Sequence, residues 1–447
     1  MTNWSPQSWR NYPSAQQPNW PDELALEHTL KQLSTFPPLV FAEEARSLTH
    51  ALGLASKGEA FLLQAGDCSE SFEEFSADAI RDKLKVILQM AILLTYSAGV
   101  PVIKVGRIAG QFAKPRSSDT ETVNGIKLAA FRGHMVNDDA PTIDARRPDP
   151  NRLLLGYHQS AATLNLLRAF TKGGFADLSK IHVWNQEFVA SSKEGQRYEI
   201  IAQEIQRALK FMRACGINLS SEKDLQQVDF WTSHEALLLG YEEALTRKDS
   251  LSGDFYDCSA HLLWVGERTR SLEGAHMEFL SGISNPIAVK LSATASPDEV
   301  LAICEKLNPN KVEGRLSLIT RMGSTKITDS LPAIVRAVKK AGHPVVWVCD
   351  PMHGNTFKSE NGIKTRHLND ILTEIKGFFQ VHKQEGTIPG GVHIELTGDN
   401  VTECLGGAEE IFENDLGLRY TSTCDPRLNA KQSLDLAFNV AEFLRNP

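Results

Sequence analysis

Four residues of the chain carry metal-ligand chemistry and stand at or just past the ends of short apolar runs: Cys68, His353, Glu395 and Asp425. A thiolate, an imidazole and two carboxylates make a plausible donor set for a divalent transition metal. Mixed S, N and O donors suit Zn, Co, Fe or Mn without choosing among them. Each residue alone has a plainer reading, since a lone buried Cys is usually a small core hydrophobe and a lone His or Glu in a loop usually faces water. Four from adjacent strand ends call for more. A second group is cationic: Arg107, Arg268, Lys290 and Arg321, with Glu267 beside Arg268. Four cations converging in a chain of net charge −8 predict a small, multiply anionic ligand. Guanidinium forks match carboxylates and phosphates in two-point contacts. Rim salt bridges are the alternative, and Lys290 resists it best, because PIAVKLS places an ammonium inside an apolar strand where an unpaired charge is costly. The segment RIAGQFAKPRSS (107–118) adds a further cluster, Lys114, Arg116 and Ser117, in a Gly- and Pro-bearing loop able to hold a phosphate.

The elements that must position these groups form a repeating rhythm. Eight apolar runs occupy 60–67, 100–107, 261–268, 286–292, 315–323, 344–354, 391–398 and 419–427. Their near-continuous hydrophobicity suits strands buried on both faces, as in a parallel sheet. Helical stretches lie between them, such as SADAIRDKLKVILQMAILLTYSAG, SPDEVLAICEKLN and DSLPAIVRAVKKAG, the last two with Ser or Asp near the N-cap. Eight such units predict an α/β fold, a (β/α)8 barrel, with chemistry gathered at the C-terminal strand ends. A doubly wound open sheet is the alternative, but it gives no reason for the count. Residues 1–58 read as an N-terminal arm and helices, and 59–447 as the barrel. More than a hundred residues separate the second and third runs, which predicts a helical insertion over about 152–250, including helices near 155–170, 196–214 and 233–247. Trp4, Trp9 and Trp20 in the arm suggest that it docks on the body or on another subunit, with a partly disordered tail as the alternative.

Composition narrows the partners. Of 447 residues, 42% are hydrophobic and 23% charged, which is ordinary globular usage. The acidic balance argues against nucleic acid as a main partner. No stretch of eighteen uncharged apolar residues exists, so no membrane span is expected, and the N-terminus lacks an apolar signal core. Seven scattered cysteines without a CxxC pair read as reduced thiols in the cytoplasm. Unaided, the residues describe a metal-dependent barrel enzyme with two anion sites beside the metal. Carbon–carbon bond formation between phosphorylated substrates fits, and so do a phosphatase or a metal-dependent hydrolase. A metabolite-binding pseudo-enzyme is the non-catalytic alternative.

The segments QAGDCSESF, KVGRIAGQFAKPRSSD, WVGERTR, VKLS, RMG, CDPMHGNT, KTRH, HIELTGDNVTECLGG and CDPRLN, in that order, resemble the class II (plant-like) 3-deoxy-D-arabino-heptulosonate 7-phosphate (DAHP) synthases from about residue 20 to the C-terminus. The resemblance implies condensation of phosphoenolpyruvate with erythrose 4-phosphate, the first committed step of the shikimate pathway to chorismate and aromatic amino acids. It implies one divalent metal ion (Mn, Co, Zn or Fe) on Cys68, His353, Glu395 and Asp425. It places phosphoenolpyruvate among Arg107, Glu267, Arg268, Lys290 and Arg321, with Arg107 and Lys290 catalytic. Erythrose 4-phosphate goes to Lys114, Arg116 and Ser117, with Asp350 lining that second site. The segment FADLSKIHVWNQEFVASSKEGQRYEIIAQEI (175–205) resembles the long, feedback-regulated form, which implies an aromatic amino acid effector, tryptophan favoured, and a homodimer or homotetramer. Cys424, beside Asp425, is expected near Cys68, where the two could form an inactivating disulfide in metal-free protein.

Overall fold

The computed structural model describes residues 4–123, 125–173, 175, 184, 195–216 and 228–445. Most of the segment expected to carry regulation, 176–183 and 185–194, lies outside the described residues. Eight parallel strands close into one barrel: β1 (Phe61–Gly66), β2 (Val102–Arg107), β3 (Trp231–Glu235), β4 (Leu262–Val265), β5 (Ile287–Ser292), β6 (Leu316–Arg321), β7 (Val345–Cys349) and β8 (Pro389–Glu395). β8 pairs with β1 to close the ring, with Gly66 opposite Glu395. The expected fold class is the observed one.

Seven of the eight expected runs are barrel strands; one is not, and one barrel strand lies where none was expected. The third strand is Trp231–Glu235, inside the stretch read as an insertion. The helix expected over 233–247 is this strand followed by a shorter helix, Leu239–Leu245. The run 419–427 is not a barrel strand; it is a loop after β8. Its reason is polar. Buried Glu403 accepts the N–H groups of Thr421, Ser422 and Arg427, and Arg427 returns its guanidinium to Glu403, Asp67 and Glu74. Those bonds satisfy the segment without a ladder.

The helices start and stop where the chain supplies caps. Helix Ala77–Ala98 has the Ser76 side chain accepting from the Ala79 N–H, and it ends on Gly99 at a φ of 67°. Helix Pro297–Leu307 is capped by Ser296 and begins with proline. Helix Ile327–Ala341 begins at Lys326 without a side-chain cap, earlier than DSLP suggested, and closes on Gly342. The N-terminal segment splits into Glu23–Thr35 and Ala42–Ser56. The second of these lies under the barrel. Its Leu48, Leu52 and Ala55 join the inward residues Leu62, Ile103, Val105, Trp264, Ile319 and Val348 in one dry cluster. Burying each such aliphatic side chain contributes about 1.5–3 kcal/mol.

That cluster fills only the lower barrel. Side chains alternate along a strand, so the inward set includes Leu62 and Gln64 on β1, Val105 and Arg107 on β2, Ser233 and Glu235 on β3, Ala288 and Lys290 on β5, Ile319 and Arg321 on β6, and His393 and Glu395 on β8. The first member of most pairs is apolar and the last is chemical. The period of two that makes the core thus delivers the reactive groups to its open end. The arm docks on its own barrel: Trp4 Nε1 donates to the Glu278 carbonyl at 3.0 Å, and Trp9 Nε1 donates to Glu243 at 2.9 Å. No helix among the described residues is long and apolar enough to cross a membrane.

Candidate active site

The open end of the barrel holds a pocket lined by ten of the residues singled out in the sequence: Cys68, Arg107, Lys114, Glu267, Arg268, Lys290, Arg321, His353, Glu395 and Asp425. Donor atoms of Cys68, Glu395 and Asp425 lie within 4.8 Å of one another, all buried. Cys68 Sγ is 3.6 Å from Asp425 Oδ2. His353 turns Nε2 toward the same place, 3.2 Å from Glu395 Oε1 and 4.0 Å from Asp425 Oδ2. Ligands bonded to one ion at about 2.0–2.3 Å stand roughly 3–4 Å apart, so the spacing and the S, N, O, O chemistry fit a divalent transition ion.

Each donor is oriented from behind. His353 Nδ1 lies 2.7 Å from Asp350 Oδ2, which fixes which ring nitrogen faces the cluster. Glu395 lies between Arg107 NH2 at 2.9 Å and Arg366 NH2 at 2.8 Å. Burial pushes its carboxyl up, but His353 and the two guanidinium groups win and hold it well below the usual carboxylate range. Lys114 donates to Cys68 Sγ at 2.7 Å and also pairs with Asp425, while Lys364 reaches Asp425 from its other oxygen at 2.5 Å. Cys424 sits next to Asp425, and the neighbouring Cys68 thiol draws the Cys424 thiol down to about 6. Both cysteines are free.

The cations form the opposite wall. Arg107 is held by the Asp67 carbonyl at 2.8 Å and the Cys68 carbonyl at 3.2 Å, and its guanidinium stacks 5.1 Å from the Trp264 ring centre. The end of β1 approaches it so closely that only glycine fits: Gly66 has a φ of 146°, and a Cβ there would lie 2.6 Å from the Arg107 carbonyl oxygen. Lys290 donates to Asp350 at 2.8 Å and lies over the same indole. Burial lowers the Lys290 pKa, opposed by Asp350. Arg321 donates to the His353 carbonyl at 3.3 Å. Glu267 is occupied by the Ser292 N–H and hydroxyl and by Arg270, and Arg268 is exposed at the mouth.

Three expected site residues do not line this pocket. Asp350 is fully buried behind it, accepting from Lys290, His353 and the Met352 N–H. Arg116 pairs with Glu121, and Ser117 is exposed, both on the loop that follows Lys114. Two residues that the sequence reading did not select do belong here. Glu235 ends β3 and projects among Lys290, His353, Arg107 and Lys114; burial raises its carboxyl against those charges, and its Oε1 has no hydrogen-bond partner. It was missed because WTSHEALLLG reads as a helix. Arg366, in the KTRH segment, is fully buried behind the pocket against Glu395, and nothing in the residue pattern marks that burial.

The loop after β2 keeps its shape through Glu70. Its carboxylate accepts the consecutive N–H groups of Ala109, Gly110 and Gln111 at 2.8–3.0 Å. Such a concave run of donors suits an anion, here the chain's own carboxylate.

The class-II DAHP synthetase family model matches residues 4–441. The chain belongs to that family. A phospho-2-dehydro-3-deoxyheptonate aldolase of Streptomyces coelicolor is 56% identical over 439 residues, covering 98% of this chain and 97% of its own. A second protein of that name, from Mycolicibacterium smegmatis, is 49% identical over 440 residues, covering 97% and 93%. A solved DAHP synthase from Thermotoga maritima superposes with a TM-score of 0.38 at 13% identity, over 86% of this chain and 68% of its own, a likeness too loose to build on. The chain is an enzyme with the DAHP synthase activity of its family.

Proposed function

We propose that the chain condenses phosphoenolpyruvate with D-erythrose 4-phosphate and water, giving 3-deoxy-D-arabino-heptulosonate 7-phosphate and phosphate, the entry to aromatic biosynthesis. The observation that carries the reading at this site is the meeting, in one pocket, of a buried S/O/O donor cluster with Arg107, Lys290 and Arg321 from three strands. A divalent ion held by Cys68, His353, Glu395 and Asp425 would act as a Lewis acid on a carbonyl oxygen. Arg107, Arg268, Lys290 and Arg321 bind the phosphate and carboxylate of phosphoenolpyruvate and neutralise charge that would repel the second substrate. Glu267 orders that wall through Ser292. Lys114, Arg116 and Ser117 take the phosphate of erythrose 4-phosphate.

C3 of phosphoenolpyruvate bonds to the aldehyde carbon, water adds at C2, and the C–O bond to phosphate breaks. Lys290, buried and pinned by Asp350, is placed to hand on a proton. Glu235, with a free buried oxygen on the same face, is placed to take one from the water. Asp350 orients both Lys290 and His353. The test follows loss of phosphoenolpyruvate absorbance in metal-stripped protein, with erythrose 4-phosphate, before and after adding Mn. Turnover restored by the metal is expected. Folded, metal-replete protein without turnover would overturn the assignment in favour of a metabolite-binding role.

Three finer readings rest on the family resemblance. The enzyme is inhibited by an aromatic amino acid, tryptophan first; flat curves for tryptophan, phenylalanine and tyrosine, singly and combined, would sink this. It works in the cytoplasm as a homodimer or homotetramer, which sedimentation decides. Oxidised metal-free protein forms a Cys68–Cys424 disulfide, supported by the approach of the Cys424–Asp425 backbone to Cys68, whose Sγ accepts the Asp425 N–H at 3.4 Å. A mass spectrum without that crosslink would count against it.

A further inference from the structure

The N-terminal arm does more than cover apolar surface. It runs along the loops that follow β3 and β4. The Pro13 carbonyl accepts the Ala275 N–H at 3.0 Å, and Gln17 Nε2 donates to the Leu237 carbonyl at 2.7 Å while its Oε1 accepts the Leu239 N–H at 3.3 Å. With Trp4 and Trp9 these contacts fix the arm to the barrel along its length. Between the two clamps sits Gln16, at a φ of 63°. That is the left-handed region, unfavourable for a residue with a Cβ unless its surroundings hold it there.

In that conformation Gln16 Oε1 accepts the backbone N–H of Arg116 at 2.8 Å, and the Gln16 carbonyl faces Arg132 NH1 at 3.4 Å. Arg116 lies in the turn Lys114–Ser117, whose backbone is also held at its start, where the Lys114 N–H donates to the Arg132 carbonyl at 2.9 Å, while the Lys114 and Arg116 side chains pair with Asp425 and Glu121. A residue a hundred positions away in sequence therefore fixes the middle of the anion-binding turn.

We propose that Gln16 is a positioning residue for the sugar phosphate: the arm, anchored on the barrel, sets the backbone of the Lys114–Ser117 turn and so the affinity for erythrose 4-phosphate. This rests on the reading of that turn as the erythrose 4-phosphate site. Gln16→Ala removes the acceptor. Gln16→Gly also removes it but suits the backbone better. Gln16→Glu keeps an oxygen in place.

Loss of one such bond is worth about five-fold. Initial rates with the full-length enzyme are expected to show that Gln16→Ala and Gln16→Gly raise KM for erythrose 4-phosphate about five-fold. KM for phosphoenolpyruvate and kcat hold within about two-fold, and Tm does not fall in Gln16→Gly. Gln16→Glu stays close to wild type. Equal rises in both KM values, no change in either, or a Gln16→Glu enzyme as poor as Gln16→Ala would overturn the inference. Arg116→Ala separates the two claims. If it raises KM for erythrose 4-phosphate and the Gln16 variants do not, the arm has no such role and the site reading stands. If Arg116→Ala leaves that KM unchanged, the site reading fails and the inference fails with it.

Discussion

Strand-borne and loop-borne members of the pocket are held by different physics. Arg107, Glu235, Arg321 and Glu395 end barrel strands and Lys290 lies within one, and the alternation that buries Val105, Ala288 and Ile319 points them inward. Cys68, Lys114, His353 and Asp425 sit on connections whose shape comes from buried charge: Glu70 under the loop after β2, and Glu403 with Arg427 under the loop after β8. Moving a strand-borne group requires moving the core, whereas moving a loop-borne group requires only breaking a few hydrogen bonds. The donor cluster is thus built across the two kinds of support, with Glu395 on a strand and Cys68, His353 and Asp425 on loops.

The largest effect should come from the strand side. Lys290→Met keeps the length of the side chain and removes the charge, which leaves Asp350 fully buried with only His353 and backbone N–H groups. Breaking a buried pair costs about 3–5 kcal/mol, and losing a charge-stabilising donor costs roughly 10²–10³ in rate. Urea unfolding and the phosphoenolpyruvate assay should both register it. A variant as stable as wild type would mean that the strand does not depend on this pair.

This division also explains what the sequence disclosed. Where a strand is a continuous apolar run, as in FLLQAG or VVWVC, its place in the barrel and the residue at its end were both legible. β3 was not, because Thr232, Ser233 and His234 break the apolar run, and Ala236–Leu239 continues it with helical spacing; Glu235 was lost with it. The run 419–427 misled in the opposite direction. Its residue Asp425 does reach the pocket, but through the Glu403–Arg427 network, whose partners lie 24 residues apart. No local pattern encodes such a pairing. The docking of Gln16 on Arg116 is more remote still.

A pH experiment probes what lies beneath the loop after β2. His234 lies 3.0 Å from Glu242, and the ring is packed so tightly that a Cβ on Gly110 would lie 2.4 Å from its Nδ1. Burial raises Glu242 to about 7 and lowers His234 to about 4, so between those values the pair is largely uncharged, and Glu242 ionises as pH passes 7. A raised acid stabilises the fold fully below its unfolded value, near 4.5, and that contribution is lost as pH rises toward 7. The span corresponds to about 3 kcal/mol. His234 works in the other direction, its contribution being lost as pH falls from 6.5 toward 4. Glu242→Gln removes only the acid, so its stability relative to wild type should improve between pH 5 and pH 7.5. Unfolding curves of both proteins at the two pH values measure this; parallel curves would show that Glu242 is ionised throughout.

Glu70→Gln should have a smaller effect. Glu70 gives two acceptor oxygens to three N–H groups, Oε2 to Ala109 and Oε1 to Gly110 and Gln111. An amide offers one oxygen and turns its NH2 toward a donor. The cost is about 1–3 kcal/mol of stability. KM for erythrose 4-phosphate should rise more than KM for phosphoenolpyruvate, because Lys114 lies on this loop while Lys290 does not. Equal rises would mean that loop and strand support are coupled.

The smallest structural effect, and the one that isolates the loop-borne end of the donor cluster, is expected of Lys364→Ala. Lys364 is half exposed and pairs with Asp425 at 2.5 Å. Exposed pairs contribute under about 1 kcal/mol, so thermal unfolding should barely move. Metal affinity should move, and in the favourable direction. Asp425 currently shares its two oxygens between Lys114 and Lys364, and a carboxylate freed of one ammonium is a better ligand for a cation. Calorimetric titration of Mn into the stripped protein should therefore show tighter binding in the variant. Unchanged or weaker binding would separate Asp425 from the ligand set and leave the cluster resting on Cys68, His353 and Glu395, with the loop after β8 serving only to close the pocket.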